Sequence, residues 1–210
     1  MRTLLSNSDS VIIVLHEIYG INQHINKVCE YYETAGFDII CPNLLNLNES
    51  FDYTLEEEAY KYFIQNIGFE LASQRVKSLV EQVRPKYKQV FILGFSIGAT
   101  IAWLCSNSDI KCDGIIGYYG SRISDYPYIT PKCKTLLIFA SREKSFKVND
   151  LICNLNKKTN VSAHIIYGNH GFSDPFSKDY CDKSFLDAEK LAKDFFKIKY
   201  MIKKGKVEQK

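Results

Sequence analysis

Long apolar runs are missing from this chain: no stretch of roughly eighteen such residues occurs, which excludes a membrane-spanning helix. The amino-terminal MRTLLSNSDS carries one basic residue and almost no apolar stretch. It does not read as a secretory signal, so a cytoplasmic location is expected. An excess of one charge sign is also lacking, with 27 Lys and Arg against 24 Asp and Glu and a formal net charge of +3. That balance argues against nucleic acid or a membrane surface as a partner. The seven cysteines, Cys29, Cys41, Cys105, Cys112, Cys133, Cys153 and Cys181, form no Cys-x-x-Cys pair. Metal-ligand spacing is therefore absent, and thiols of a chain without a signal are expected to stay reduced as small core residues. His-Glu-x-x-His is missing too, because Gly20 stands where the second histidine would be in His16-Glu17-Ile18-Tyr19-Gly20. There is no internal repeat, low-complexity linker or composition break. Residues 1–200 are thus expected to form one domain, with 201–210, carrying Lys203, Lys204, Lys206 and Lys210, as a basic, flexible tail.

What the chain does have is alternation. Val11 to Leu15 is a continuous apolar run suited to a strand buried on both faces. Asn22 can cap a helix whose Ile25, Val28, Cys29, Tyr32 and Ala35 recur at helical spacing up to Gly36. A short strand from Phe37 to Cys41 closes at Pro42, two helical patterns run from Tyr53 to Arg84, and Pro85 stops them. Strands are read at Val90 to Leu93, Gly114 to Tyr119, Thr135 to Ala140 and Val161 to Tyr167, with helices after Ser96, over Val148 to Lys158, and around Phe185 to Phe196. This order predicts an α/β fold with a mostly parallel sheet and helices on both faces. In such a sheet chemistry gathers beyond the carboxyl ends of the strands.

Gly94-Phe95-Ser96-Ile97-Gly98 lies between a buried strand and a small-residue helix. It fits the Gly-x-Ser-x-Gly elbow, which presents a serine hydroxyl on a strained turn at the start of a helix. A serine nucleophile needs a base. Of the four histidines, His16 ends the first strand, His24 lies in a helix and His164 inside a strand. His170, in the loop Tyr167-Gly168-Asn169-His170-Gly171-Phe172 after the last strand, is where the order nucleophile, acid, histidine places the base. The loop after the strand ending at Ala140 offers Glu143 as the acid that would fix the tautomer of His170. The backbone N–H groups of Ile97, after the nucleophile, and of Ile18, after the first strand, would supply two donors to an oxyanion.

Together these pieces resemble the dienelactone hydrolase family of α/β-hydrolases, from about Val11 to Phe196. The resemblance rests on HEIYG with AGFDIICPNLL behind it, GFSIGA, GYYG at 117–120, the strand with its acid loop, and NHGF before an aromatic-rich helix. It implies the α/β-hydrolase fold, a carboxylic ester hydrolase with no metal or organic cofactor, Ser96 as nucleophile and His170 as base. Glu143 takes the site usually held by aspartate, and Glu17 that of the glutamate neighbouring the nucleophile. The best-known members carry cysteine where this chain has Ser96, so Glu17 loses its thiol-activating role. They also hold a substrate carboxylate with arginines, one shortly after the histidine, where this chain has Ser173-Asp174. Arg75, Arg122 and Arg142 are the candidate replacements. The expected substrate is therefore a small uncharged ester or lactone in a pocket lined by Tyr19, Tyr118, Tyr119 and Phe172, with Phe146 and Phe176 as further candidates. Thioester or amide cleavage by the same residues, and a non-catalytic binding protein, remain open alternatives. Oligomeric state is not readable.

Overall fold

A computed structural model describes residues 1–107, 109, 111–143 and 146–198. The tail read at 201–210 lies outside the described residues. Seven strands form one sheet in the order β1-β3-β2-β4-β5-β6-β7. They are β1 (Arg2–Leu4), β2 (Ser10–Leu15), β3 (Asp38–Cys41), β4 (Gln89–Phe95), β5 (Gly114–Tyr118), β6 (Lys134–Arg142) and β7 (Val161–Asn169). All neighbours pair in parallel except β1, which runs antiparallel to β3 at one edge. The helices are α1 (Gln23–Thr34), α2 (Glu56–Asn66), α3 (Gly68–Val83), α4 (Ile97–Cys105), α5 (Val148–Leu155) and α6 (Asp182–Phe196). The mostly parallel sheet with helices on both faces is the expected α/β-hydrolase architecture.

Alternation of side chains along β2 decides which layer each residue joins. Ile12 and Val14 pack with Ile25, Cys29 and Tyr32 of α1 and Ala188, Ala192 and Phe196 of α6. Val11, Ile13 and Leu15 pack on the opposite face with Phe63, Val76, Val80 and Ile101 from α2, α3 and α4. Both faces are therefore dry, which is why the strand reads as one unbroken apolar run. Trp103 of α4, with Phe139, Leu151 and Leu155, forms a third cluster under α5. The cap of α1 is the one read from the sequence: the Asn22 side chain accepts from the Ile25 N–H, and Gly36 follows the helix with φ +96°.

Strand β1 has no counterpart in the sequence reading. It has three residues and no apolar period; what places it is the edge of β3 and the ion pair of Arg2 with Glu30 on α1 at 2.8 Å. Pairing to β3 covers an edge that would otherwise present open hydrogen-bonding groups. Among the described residues no helix is long and apolar enough to cross a membrane. The fold brings the carboxyl ends of β2, β4, β6 and β7 to one rim, so His16, Ser96, Glu143 and His170 each directly follow a strand there.

Candidate active site

The elbow is built by close backbone approach. Ser96 sits at φ 52° and ψ −113°, a left-handed conformation that costs a non-glycine residue energy. Its N–H is held by the Tyr118 carbonyl at 2.9 Å, and its own carbonyl accepts from Thr100 N–H in the first turn of α4. A side chain at Gly98 would collide with the Leu15 carbonyl, and one at Gly94 with the Gly98 carbonyl. Those two glycines therefore let α4 start directly against the end of β2.

Around this turn the structure brings together Ser96, His170 and Glu143. His170 Nε2 lies 2.9 Å from Ser96 Oγ, and His170 Nδ1 lies 3.2 Å from both Glu143 oxygens. The Glu143 side chain is only 3% exposed, so the carboxylate meets the imidazole away from bulk water. With Glu143 ionised, Nδ1 carries the proton and Nε2 is left to accept from the serine hydroxyl. Burial alone would lower the His170 pKa. The hydrogen bond and charge of Glu143, aided by Glu17 and Glu56, overcome it and hold the imidazole above its ordinary 6.5.

That direction fixes a pH dependence. A general base works only when neutral, so kcat/KM on an uncharged ester should fall as pH is lowered through a midpoint above 6.5. Stability moves the other way. The extra stabilisation of protonated His170 beside Glu143 is complete below 6.5 and is lost as pH rises through the folded-state value. A pH profile of initial rates, with unfolding followed over the same range, measures both; an acidic limb centred below 6 would contradict the assignment.

The loop after β2 is fixed by a histidine that takes no part in this arrangement. His16 is fully buried; its Nδ1 donates to the Glu17 carbonyl at 2.6 Å and its Nε2 accepts from Leu44 N–H at 2.9 Å. Burial drops its pKa to about 4, so it stays neutral and ties the loop to the chain after β3. The N–H groups of Ile18 and Ile97 enter no turn or loop hydrogen bond among the described residues. Ile97 begins α4, where the first amides have no partner within the helix.

The aromatic residues separate into two groups. The Tyr119 ring lies 4.9 Å from the His170 ring, with its hydroxyl 3.0 Å from Ser173 Oγ, and Tyr19 stands half-buried with its ring 4.7 Å from Tyr53. Phe172 is fully buried against Tyr119, and Tyr118 stacks on Phe95 over a separate cavity between α1 and α6. Phe146 packs on Phe139, and Phe176 lies beneath the Lys27 ammonium. Of the arginines, Arg122 is paired with Asp125 at 2.8 Å, Arg142 lies over the Tyr167 ring, and Arg75 lies beside the Asn46 amide. None of these contacts involves Ser96, Glu143 or His170.

Sequence reasoning missed His24 and Tyr53. His24 is 2% exposed and points from the first turn of α1 towards Glu17 and Asp174, at 3.8 and 3.7 Å. Its spacing of four from Val28, on the inward stripe of the helix, was the available signal. Asp174, expected only to repel an anionic substrate, is 1% exposed and accepts from the Tyr53 hydroxyl at 2.5 Å. Burial pushes Glu17 upward, but His24 and, further off, His170 hold its carboxyl below the ordinary carboxylate value. For Asp174 burial wins, and its pKa is raised. Burial and the carboxylates of Glu56, Glu17 and Asp174 raise the Tyr19 hydroxyl.

Comparison with known proteins identifies the family. Residues 1–200 match the Dienelactone hydrolase family. Uncharacterized protein YczH of Bacillus subtilis is 36% identical over 199 residues, covering 93% of this chain and 91% of the relative. Carboxymethylenebutenolidase 1 of Cupriavidus pinatubonensis is 22% identical over 189 residues, 83% of this chain and 80% of that protein. The crystal structure of dienelactone hydrolase from Anabaena variabilis is similar with a TM-score of 0.65 at 17% identity, over 91% of this chain and 87% of that one. A serine elbow on the expected strand, in a mostly parallel sheet and with a family match over nearly its whole length, means that the chain belongs to the dienelactone hydrolase family and is a carboxylic ester hydrolase.

Proposed function

We propose that the protein cleaves a small uncharged ester or lactone through an acyl-enzyme on Ser96. The observation that carries this reading is the 2.9 Å contact between His170 Nε2 and Ser96 Oγ, with Glu143 behind Nδ1. Ser96 Oγ attacks the carbonyl carbon as its proton passes to His170 Nε2. The oxyanion is held by the N–H groups of Ile97 and Ile18, aided by the amino end of α4. Collapse of the tetrahedral intermediate expels the alcohol, which takes the proton back from His170. Water, deprotonated by the same imidazole, then attacks the acyl-serine and releases the acid. No step needs a metal or an organic cofactor. The enzyme acts as one domain over residues 1–200, in the cytoplasm, with neither nucleic acid nor membrane as a partner.

Charge supports the choice of an uncharged substrate. Glu17, Glu56 and Glu143 all act on His170, Asp174 stands beside Glu17, and Arg75, Arg122 and Arg142 are engaged elsewhere. A substrate carboxylate would meet Glu56 and Glu143 there, and none of the three arginine side chains contacts Ser96, Glu143 or His170. Tyr19, half-buried against Tyr53, offers an aromatic surface suited to an acyl or aryl portion, while Tyr119 is fully buried against the His170 ring. A matched pair of aryl esters, one neutral and one bearing a carboxylate on its acyl group, tests this. The neutral ester should have a kcat/KM at least about tenfold higher. A preference for the anionic ester would overturn the substrate class while leaving the acyl-transfer chemistry standing.

A further inference from the structure

Glu17, His24 and Asp174 come from three segments: the loop after β2, the first turn of α1, and the turn after β7. They are 4%, 2% and 1% exposed. One donor atom from each lies within 4.8 Å of the other two. His24 Nδ1 is 3.8 Å from Glu17 Oε2 and 3.7 Å from Asp174 Oδ2, too far for a hydrogen bond to either, and it has no hydrogen-bond partner among the described residues. A buried imidazole nitrogen facing two buried carboxylates without contact is a costly arrangement unless something lies between them.

From Nδ1 an ion can bridge both gaps: two ligand bonds of about 2.1 Å would subtend about 125°, within the range of an open tetrahedral site. The two carboxylates, within 4.8 Å of each other, would draw together around it. One imidazole and two carboxylates suit a borderline first-row divalent ion better than magnesium or calcium, which prefer all-oxygen shells. The carboxylate of Asp174 is also held from outside. Tyr53 donates to Oδ2 at 2.5 Å, Phe176 N–H donates to Oδ1 at 2.8 Å, and Asn22 Nδ2 donates to the Tyr53 oxygen at 2.9 Å. Outer contacts of this kind fix ligand orientation at metal sites. A cavity of about 450 Å³ between α1 and α6 has His24 and Ser173 in its wall.

We propose that Glu17, His24 and Asp174 bind one divalent transition ion, of which Zn²⁺ is the type, with water completing its shell. The ion neutralises the paired carboxylates and holds Glu17 in place beside the reacting groups; no proton or acyl transfer passes through it. The proposal stands apart from the hydrolytic reading, because Ser96→Ala should abolish turnover and leave Zn²⁺ binding unchanged.

The full chain, stripped with a chelator and dialysed against Zn²⁺, should retain one equivalent by elemental analysis, with Tm raised by at least about 2 °C. His24→Gln and Asp174→Asn, each checked for folding by circular dichroism, should weaken binding at least about tenfold. The double variant Cys112→Ser/Cys133→Ser should keep it. If either ligand variant fails to fold, the Co²⁺ spectrum of the wild-type protein decides: ligand-field bands without thiolate charge transfer support the site, and a thiolate band overturns it. Absence of a retained equivalent, or wild-type affinity in folded His24→Gln and Asp174→Asn, also overturns it.

Discussion

Ser96→Ala should lower turnover by roughly 10⁴- to 10⁶-fold while leaving the protein folded. Among the described residues the hydroxyl makes one side-chain hydrogen bond, to His170 Nε2, so its loss leaves no buried polar group there stranded in the core. Alanine fits the space of serine, and the φ of 52° costs both residues alike. Backbone contacts that set the elbow, from Ser96 N–H to the Tyr118 carbonyl and from Thr100 N–H to the Ser96 carbonyl, survive the substitution. What disappears is the atom that forms the acyl bond. The residual rate would come from binding and the oxyanion donors alone. Initial rates on a neutral aryl ester, with a thermal melt of the same sample, measure the effect; a fall of less than about tenfold would remove Ser96 from the mechanism.

Glu143→Gln is the second large expectation, and it acts through a proton rather than a bond. The carboxylate accepts from Nδ1–H and thereby leaves Nε2 basic towards Ser96. An amide in its place can turn its NH₂ towards Nδ1, stabilising the opposite tautomer with Nε2 protonated and unable to accept. Turnover should fall by about 10³- to 10⁴-fold. The acidic limb of the pH profile should also move down, because the charge that helps to hold the His170 pKa above 6.5 is gone. Glu143→Asp, which keeps the charge but shortens the reach, should recover part of the rate and keep the limb high. Equal loss in both variants, with an unmoved limb, would mean that Glu143 serves only to shape its loop.

Much of this could be read from residue order. Strand β2 announced itself because both of its faces are buried, and α1 because Asn22, the apolar stripe and Gly36 all agree. The Ser96, Glu143 and His170 positions follow from where strands end, since a parallel sheet delivers those ends to one rim. Strand β1 was illegible because three residues carry no period, and only the free edge of β3 gives them a place. The Glu17, His24 and Asp174 group was illegible for a related reason. Its members are 7 and 150 residues apart along the chain, and only the packing of α1 against the turn after β7 makes them neighbours. Aromatic residues were the least predictable. Tyr118 and Tyr119 are adjacent, yet one stacks on Phe95 and the other faces His170, because the chain leaves β5 between them and Tyr119 adopts a φ of 40°.

The most direct test of the central claim is reaction of the folded protein with a fluorophosphonate probe, read as intact mass, with Ser96→Ala and His170→Ala alongside. An activated Ser96 predicts one adduct per chain in the wild-type protein and none in either variant. An unlabelled wild-type protein, or an adduct that persists in Ser96→Ala, would contradict it.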